Sequence, residues 1–567
     1  MDYSRPESSK SVGSNRSPAR WIIVLSCIAI GVLPLLSPSP QAPESDPTQF
    51  SATRAFDHVE AIAREPHPIG SAEIERVRTH ILSTLNETGL DPQSQTVEVP
   101  DYFGDPETFI EVVNVMARIR GSEPSGALAL VAHYDTVPTT PGANDDSAAV
   151  ATLLEIATIL VANPTMKNDV ILLFTDGEEP APRFGSSAFV SEHPWFDDVS
   201  FVVNLEASGA GGPSLLIETS GPEGWSVDAF IEAAPYPAVF SFITDISSLI
   251  GGIGTDFTPF QEGQIPGLNF AYLHGSPIYH TERDSLANVS LSSLQQQGAN
   301  TLELARNLGD SDLDVPSGSE GLVFFTVAGS HVVNYPSAWN VALAILVLVM
   351  LGAGMFVRWR RPTAGRLGRL IAGLGLVLGA LVVAVVAGAL IWSLIAGWRP
   401  NAGVAEAYAY LLLLLGATGG IWLMTVRLAH RRLNADDLLG GAVVTWVALG
   451  VVVTAFAPGI GYLFLWPALA GAAYWLACGF GYSPIVGSLL SFAVVAAVAI
   501  VLNLPAIDVF YQMAQPRPGN PDSELIPVAG AATGLAILVI ALLHSVATAS
   551  KAPHRDPDGN DIQLLER

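Results

Sequence analysis

Ala127-Leu-Ala-Leu-Val-Ala-His133-Tyr-Asp135 is an apolar run that ends in an imidazole and a carboxylate. Its six apolar residues predict a short strand that is covered on both faces, because a strand with one exposed face alternates apolar and polar residues. Similar runs occur at 170–175, 201–204 and 268–272. Helical stretches lie between or beside these runs, at 71–88, 147–162 and 290–308. This alternation predicts an α/β fold, whose ligand site lies outside the carboxyl ends of the strands.

Polar motifs lie at or after the ends of these strands, and the last one lies in a later loop. In chain order they are His133-Tyr-Asp135, Asn144-Asp145-Asp146, Asp176-Gly-Glu178-Glu179, Asn204-Leu-Glu206 and Tyr279-His280-Thr281. Imidazole nitrogens and carboxylate oxygens bind zinc at about 2.0–2.2 Å, so one edge of the sheet could hold two divalent cations. Each motif alone has a simpler interpretation, such as a surface pair or, for Asp145-Asp146, a helix N-cap before Ser147. The combination in this order favours a metal site.

The motifs resemble those of the co-catalytic di-zinc aminopeptidases, the family of aminopeptidase S and glutamate carboxypeptidase. The resemblance covers residues 53–309 and includes the lead-in His67-Pro-Ile-Gly-Ser71. It implies the zinc exopeptidase fold, in which a mixed central β-sheet is flanked by helices. It also implies two Zn²⁺ ions per chain and a peptide substrate.

Site residues follow from the resemblance position by position. His133 and Glu206 would bind the first zinc, Glu179 and His280 the second, and Asp145 would bridge both. The catalytic residues would be Glu178 as general base, Asp135 as the carboxylate that orients His133, and Tyr279 as a stabiliser of the oxyanion. The family's bridging aspartate also begins a cis peptide bond, so the bond between Asp145 and Asp146 is expected to be cis.

The residue at position 206 separates two branches of this family. Many soluble members carry aspartate where this chain has Glu206. Asn204-Leu-Glu206 is instead similar to the membrane-embedded branch of endoplasmic reticulum metallopeptidases and vacuolar membrane proteases. Gly254-Thr-Asp-Phe257 and Tyr279-His-Thr-Glu-Arg-Asp284 resemble that branch as well.

Several activities remain open at this point. The resemblance favours an aminopeptidase that hydrolyses peptide bonds with a zinc-bound water and Glu178 as base. Carboxypeptidase or dipeptidase action is an alternative, and so is a glutaminyl-cyclase-like activity, which uses one zinc. A non-proteolytic receptor or scaffold is the alternative from a different class.

The second half of the chain is apolar enough to be a membrane domain. Seven stretches are long enough, or nearly so, to span about 30 Å of hydrocarbon. They lie at 338–357, 369–395, 407–426, 438–457, 459–478, 484–504 and 525–547. An eighth apolar segment begins at Trp21 after basic residues, and it is either an uncleaved anchor or a signal peptide. Ionisable residues are scarce in the seven stretches, which favours an anchoring bundle over a transporter.

The distribution of basic residues predicts how the chain is oriented in the membrane. Arginines cluster in the loops at 358–369 and 427–432, which places these loops and both termini in the cytoplasm and the peptidase domain outside. That side is periplasmic or external in a bacterium and lumenal in a eukaryote. Residues 41–337 hold 41 acidic and 10 basic side chains, a charge that repels nucleic acid. Cys27 and Cys478 both lie in predicted spans, so no disulfide is expected in the peptidase domain.

The predicted partners are therefore a peptide substrate and the lipid bilayer, with no nucleic acid; the oligomeric state is not assigned. The predicted domains are a cytoplasmic tail (1–20), an anchor or signal-like segment (21–37), a linker (38–52), the peptidase domain (53–309), a juxtamembrane linker (310–337), the seven-span domain (338–547) and a cytoplasmic tail (548–567).

Overall fold

The computed structural model describes residues 18–36, 46–163, 166–179, 182–313, 321–360, 366–398, 404–430, 432–480, 487–515 and 526–549. Most of the two predicted tails and parts of both predicted linkers, at 38–45 and 314–320, lie outside these residues.

The described residues between 46 and 336 form an α/β domain. Its strands are β1 (Gln93–Pro100), β2 (Phe109–Ile119), β3 (Ala127–His133), β4 (Asp169–Thr175), β5 (Val199–Ala207), β6 (Leu215–Ser220), β7 (Gly267–Tyr272), β8 (Leu322–Val327) and β9 (His331–Pro336). Its helices are α2 (Ala52–Ile62), α3 (Ala72–Glu87), α4 (Ser147–Ala162), α5 (Phe184–Glu192), α6 (Glu223–Ala233), α7 (Ser241–Ile250), α8 (Phe257–Glu262) and α9 (Leu291–Asp310). Helix α1 (Pro18–Val32) precedes them.

Seven strands form one mixed sheet in the order β1-β2-β4-β3-β5-β7-β6. The four central strands β4, β3, β5 and β7 are parallel, whereas β1, β2 and β6 are antiparallel to their neighbours. Every residue of β3 and β4 is buried, as their continuous apolar character predicts. The predicted mixed sheet with flanking helices is confirmed. Because the parallel strands end at one edge, they bring the polar motifs together there.

Local capping explains where the main helices of this domain begin. The Ser71 hydroxyl accepts a hydrogen bond from the amide of Ile74, and the Ser290 hydroxyl accepts one from the amide of Ser293. Helix α4 differs, because its N-cap residue Asp146 makes no capping hydrogen bond with its side chain. The Asp146 carboxylate therefore does not serve the helix as the sequence pattern suggests.

The rest of the described chain is helical. The helices are α10 (Trp339–Trp359), α11 (Arg366–Trp398), α12 (Val404–Ala429), α13 (Ala435–Phe456), α14 (Pro458–Phe480), α15 (Gly487–Met513) and α16 (Ile526–Ala549). With α1 and its 3₁₀ extension, eight helical segments among the described residues are long and apolar enough to cross a membrane. The eight predicted apolar segments are thus confirmed as helices.

One predicted boundary is wrong. The sequence interpretation ends the sixth of the seven spans at Leu504 and assigns 504–525 to an outer loop, whereas α15 continues to Met513 with Pro505 inside it. The added helical residues include Asp508. Asp508 is buried against His274 of the α/β domain, so its charge does not end the helix.

Candidate metal centre

Two groups of ligand side chains converge at the carboxyl edge of the parallel strands. One contains His133, Asp145 and Glu206, and the other contains Asp145, Glu179 and His280. His133 is the last residue of β3, Glu206 lies near the end of β5, and Glu179 follows β4 after the turn at Gly177. The five residues predicted as metal ligands are therefore brought together, with Asp145 common to both groups.

The distances between ligand atoms suit bound cations. His133 Nε2 lies 3.3 Å from Asp145 Oδ1 and 3.7 Å from Glu206 Oε2. His280 Nε2 lies 3.3 Å from Asp145 Oδ2 and 3.0 Å from Glu179 Oε2. Tetrahedral ligands of zinc are about 3.4 Å apart when each bond is about 2.1 Å. Both groups match that spacing.

The hydrogen-bonding state of the ligand atoms supports the same interpretation. Asp145 Oδ2, Glu179 Oε1 and His280 Nε2 are buried and make no hydrogen bond of normal geometry, although His280 Nε2 lies within ion-pair distance of both carboxylates. Buried polar groups nearly always have a partner, so three orphaned atoms beside one another indicate a site that a cation completes. The residues present thus fit two metal ions that share the Asp145 carboxylate.

Asp135 contacts both His133 and the turn that carries Glu178 and Glu179. Its carboxylate accepts hydrogen bonds from the amides of Glu178 and Glu179, at 3.0 Å and 3.2 Å. Its Oδ1 also lies 3.5 Å from His133 Nδ1, while the Asp135 carbonyl oxygen is closer to that nitrogen, at 3.1 Å. The Asp135 carbonyl oxygen is therefore nearer to His133 than the carboxylate to which the sequence interpretation gave the orienting role, and that role of the carboxylate stays a prediction. The carboxylate fixes the turn that carries both glutamates.

The loop that carries Asp145 is fixed by a residue to which the sequence interpretation gives no role. Asp284 accepts hydrogen bonds from the main-chain amides of Asn144 and Asp145, at 2.9 Å and 3.1 Å, and from the Asn144 side chain at 2.7 Å. Burial and the nearby Asp145 charge raise the pKa of Asp284 to about 7. Asp284 lies within the motif that begins at Tyr279, which was the available signal.

The backbone of this loop is equally constrained. Gly142 has φ +64°, and a Cβ there would lie 2.4 Å from the Asp145 carbonyl oxygen, so only glycine fits. The peptide bond between Asp145 and Asp146 is cis, as expected from the resemblance.

Glu178 lies beside the metal ligands without joining either group. Burial, followed by the charge of Glu206, raises the pKa of its carboxyl well above the ordinary value. Arg183 lies nearby, with Nε 3.8 Å from Glu178 Oε1, and its guanidinium donates to the carbonyl oxygen of Gly254. A buried carboxylate next to a metal centre is placed to accept a proton.

Asp256 is a second buried residue whose role the sequence interpretation misses. It accepts a hydrogen bond from the Thr175 hydroxyl, and burial raises its pKa to about 6. It lies in Gly254-Thr-Asp-Phe257, directly before α8, and its charge contributes to the raised pKa of Glu178.

Tyr279 and His280 form the rim of the site. Their rings stack with centroids 3.7 Å apart and an interplanar angle of 18°. His280 has φ +57°, a left-handed conformation that is uncommon for non-glycine residues and is often found at active sites. The carbonyl oxygen of His280 accepts a hydrogen bond from the Thr139 hydroxyl at 3.2 Å. The role of Tyr279 towards an oxyanion stays a prediction.

Curated proteins that are similar to this chain include membrane metallopeptidases. Over 356 residues the chain is 30% identical to endoplasmic reticulum metallopeptidase 1 of Mus musculus, covering 58% of this chain and 39% of that protein. It is 28% identical over 362 residues to a vacuolar membrane protease of Yarrowia lipolytica, covering 60% of this chain and 36% of the relative. The chain thus spans less than half the length of these relatives.

Among solved structures, a zinc aminopeptidase from Bacillus subtilis aligns with a TM-score of 0.37 and 16% identity, covering 47% of this chain and 97% of that one. Residues 114–305, which include all five metal-ligand candidates, match the family described as Peptidase family M28. The chain therefore carries a domain of peptidase family M28.

Proposed function

We propose that this chain is a membrane-anchored zinc metallopeptidase that removes N-terminal residues from peptides. The observation that carries the proposal is the pair of ligand groups that share Asp145, with Glu178 beside them and outside both. The M28 peptidase domain at residues 114–305 and the similarity to membrane metallopeptidases both support the proposal that the substrate is a peptide. Aminopeptidase action is the narrower part of the proposal and comes from the sequence resemblance.

The residues of the site have separable tasks. Zinc held by His133, Asp145, Glu179, Glu206 and His280 would supply polarisation of the scissile carbonyl and a lower pKa of the attacking water. Glu178 accepts the proton of the attacking water at its carboxylate and then passes it to the leaving amine. Asp135 keeps Glu178 in place by accepting its main-chain amide at 3.0 Å. Tyr279 is placed at the rim, where its hydroxyl would stabilise the developing oxyanion.

Glu178→Gln tests the assignment of the base. We expect kcat for a peptide library, read by mass spectrometry, to fall by about 10²–10⁴-fold, because general-base catalysis contributes a factor of this size. The zinc content should not change, since Glu178 belongs to neither ligand group. Glu192→Gln, an exposed change in the same domain, is the matched control and should keep full activity.

Three results would contradict parts of this proposal. A Glu178→Gln variant that keeps most of its activity would remove Glu178 as the base. Cyclisation of N-terminal glutamine without cleavage would indicate a glutaminyl-cyclase-like enzyme. A zinc-loaded wild-type protein that cleaves no peptide would favour the receptor or scaffold interpretation.

Zinc binding should compete with protons at His280. Burial opposes protonation of its imidazole, but the Glu179 and Asp145 carboxylates outweigh burial and raise its pKa to about 10. At pH 7 the metal-free ring is therefore protonated, and zinc must displace that proton. Apparent zinc affinity should rise with pH up to that pKa.

Calorimetric titration in buffers of different ionisation enthalpy measures the number of protons released. We expect His280→Gln to release about one proton fewer than the wild type, because its side chain carries no displaceable proton. His331→Gln, an exposed change, should match the wild type. Zinc binding without proton release would contradict the proposed ligand role of His280.

We also propose that the peptidase domain faces the extracytoplasmic side and that both termini are cytoplasmic. Support comes from the arginine-bearing ends of α10 and α12, because basic loops remain inside. The first helix is then an uncleaved anchor; in the structure it packs against α15, where a Cβ on Gly31 would lie 3.2 Å from the Leu504 side chain.

Cysteine labelling tests this orientation. In a Cys27→Ala, Cys478→Ala background, a membrane-impermeant maleimide should label Glu98→Cys in sealed cells, because Glu98 is exposed on β1. Arg360→Cys, at the other end of α10, should be labelled only after lysis. The reverse pattern would contradict the orientation.

A further inference from the structure

The α/β domain packs directly on the helical bundle. A shared apolar cluster joins β6, β7 and α7 to α14, α15 and α16, with Leu215, Phe242 and Leu273 on one side and Leu463, Ile507 and Leu535 on the other. Phe325 stacks on Tyr462 with ring centroids 4.4 Å apart. The bundle therefore covers one edge of the sheet as part of its packing.

Polar contacts cross the same interface. The Ser241 hydroxyl donates to the Gly459 carbonyl oxygen at 2.7 Å, and the Ile460 amide donates to Asp245 Oδ2 at 3.2 Å. Directed hydrogen bonds of this kind fix the orientation of α14 against the domain, which an apolar contact alone would leave free to slide.

One side-chain contact at this interface lies between the membrane bundle and the segment that leads to His280. Asp508 lies in the apolar helix α15 and is 7% exposed, and its Oδ2 lies 3.0 Å from His274 Nε2. The Gln512 side chain donates to the other carboxylate oxygen of Asp508 at 3.4 Å. An ionisable residue in a membrane helix is costly, and it commonly marks a functional contact with its partner.

The main chain of His274 joins two segments that carry metal ligands. Its amide donates to the Gly211 carbonyl oxygen at 3.0 Å, and its carbonyl oxygen accepts from the amides of Ala210 and Gly211, at 2.7 Å and 3.1 Å. A Cβ on Gly212 would lie 2.5 Å from the His274 ring, so the 209–212 loop wraps closely around it. This loop follows Glu206 on β5.

The segment after His274 is short and leads to the second ligand group. Gly275 has φ +80° and begins the 3₁₀ turn Ser276–Ile278, after which Tyr279 and His280 follow at once. The Ser276 hydroxyl donates to the Leu273 carbonyl oxygen at 2.6 Å, which tightens the turn. With five residues between them, displacement of His274 would move the His280 imidazole relative to Glu179 and Asp145.

We propose that Asp508 of the membrane bundle acts, through His274, as a positioning residue for the metal group formed by Asp145, Glu179 and His280. The membrane bundle would then help to position metal ligands as well as anchor the enzyme. This inference rests on the proposed zinc peptidase function. Neither Asp508 nor His274 is a metal ligand or a catalytic residue.

Three variants test the proposal in full-length protein. Asp508→Asn keeps the shape of the side chain and removes its charge, His274→Gln keeps a donor near the Nε2 position, and the third variant combines both. Asp436→Asn is the matched control, because Asp436 pairs with Arg358 at 2.6 Å within the bundle, at the far end of α10.

Zinc affinity is measured by chelator competition, and kcat and KM are measured on the same samples. We expect each single variant to weaken the second zinc more than the first. The loss should be smaller than the about 10–100-fold caused by removing a direct hydrogen-bond partner of a metal ligand, because Asp508 and His274 act through the main chain. kcat should fall with little change in KM. The double variant should be no worse than the worse single variant, because both changes break one interaction. Asp508→Glu keeps the carboxylate, so its affinity for the second zinc should be much closer to that of the wild type than the affinity of Asp508→Asn is. Asp436→Asn should bind zinc as the wild type does.

Unchanged affinity for both zincs in Asp508→Asn and His274→Gln would overturn the proposal. So would an equal loss of both zincs with a lowered thermal midpoint, since that result indicates general destabilisation. If Asp508→Asn does not fold, His274→Gln gives the same test from the other partner. If the wild-type protein binds two zincs but cleaves no peptide, the proposed peptidase function is contradicted. The positioning role of Asp508 can still be tested in that case, because zinc affinity is measured without turnover.

Discussion

The central constraint on this structure is the burial of several carboxylates at one edge of the sheet. Asp145, Glu179 and Glu206 lie within reach of only two imidazoles, and Glu178 and Asp256 are buried close by. Buried charges of one sign are unstable unless cations or hydrogen bonds compensate them. Asp135 and Asp284 receive such compensation from main-chain amides. Asp145 Oδ2 and Glu179 Oε1 make no hydrogen bond of normal geometry, so bound cations would compensate their charge.

The sequence predicts much of this arrangement because parallel strands obey a simple geometric rule. Their carboxyl ends share one edge, so apolar runs followed by His133, Glu179 and Glu206 place these groups together once the α/β pattern is recognised. The resemblance then assigns the metal-binding roles, including that of Asp145, whose position depends on a loop and could not be obtained from strand periodicity. Asp284 and Asp256 were missed because their contacts join segments far apart in the chain.

The membrane half shows a different limit. Hydropathy locates the apolar helices, since their length and composition are local properties. It fails at α15, which continues beyond Leu504 to Met513, because hydropathy does not show the contact of Asp508 with His274, 234 positions earlier in the chain. The packing of β6, β7 and α7 on α14–α16 is also invisible to hydropathy, because apolar side chains facing lipid and those facing protein look alike in sequence. The contact between the membrane bundle and the α/β domain can therefore be found only from the tertiary structure.

The most direct test of this account is the position of the metal ions in zinc-loaded, full-length protein, measured by anomalous diffraction at the zinc edge. The account predicts two peaks about 3.5–4 Å apart, the separation usual in two-metal sites, on either side of the Asp145 carboxylate. A single peak, or a pair of peaks that Asp145 does not bridge, would contradict it.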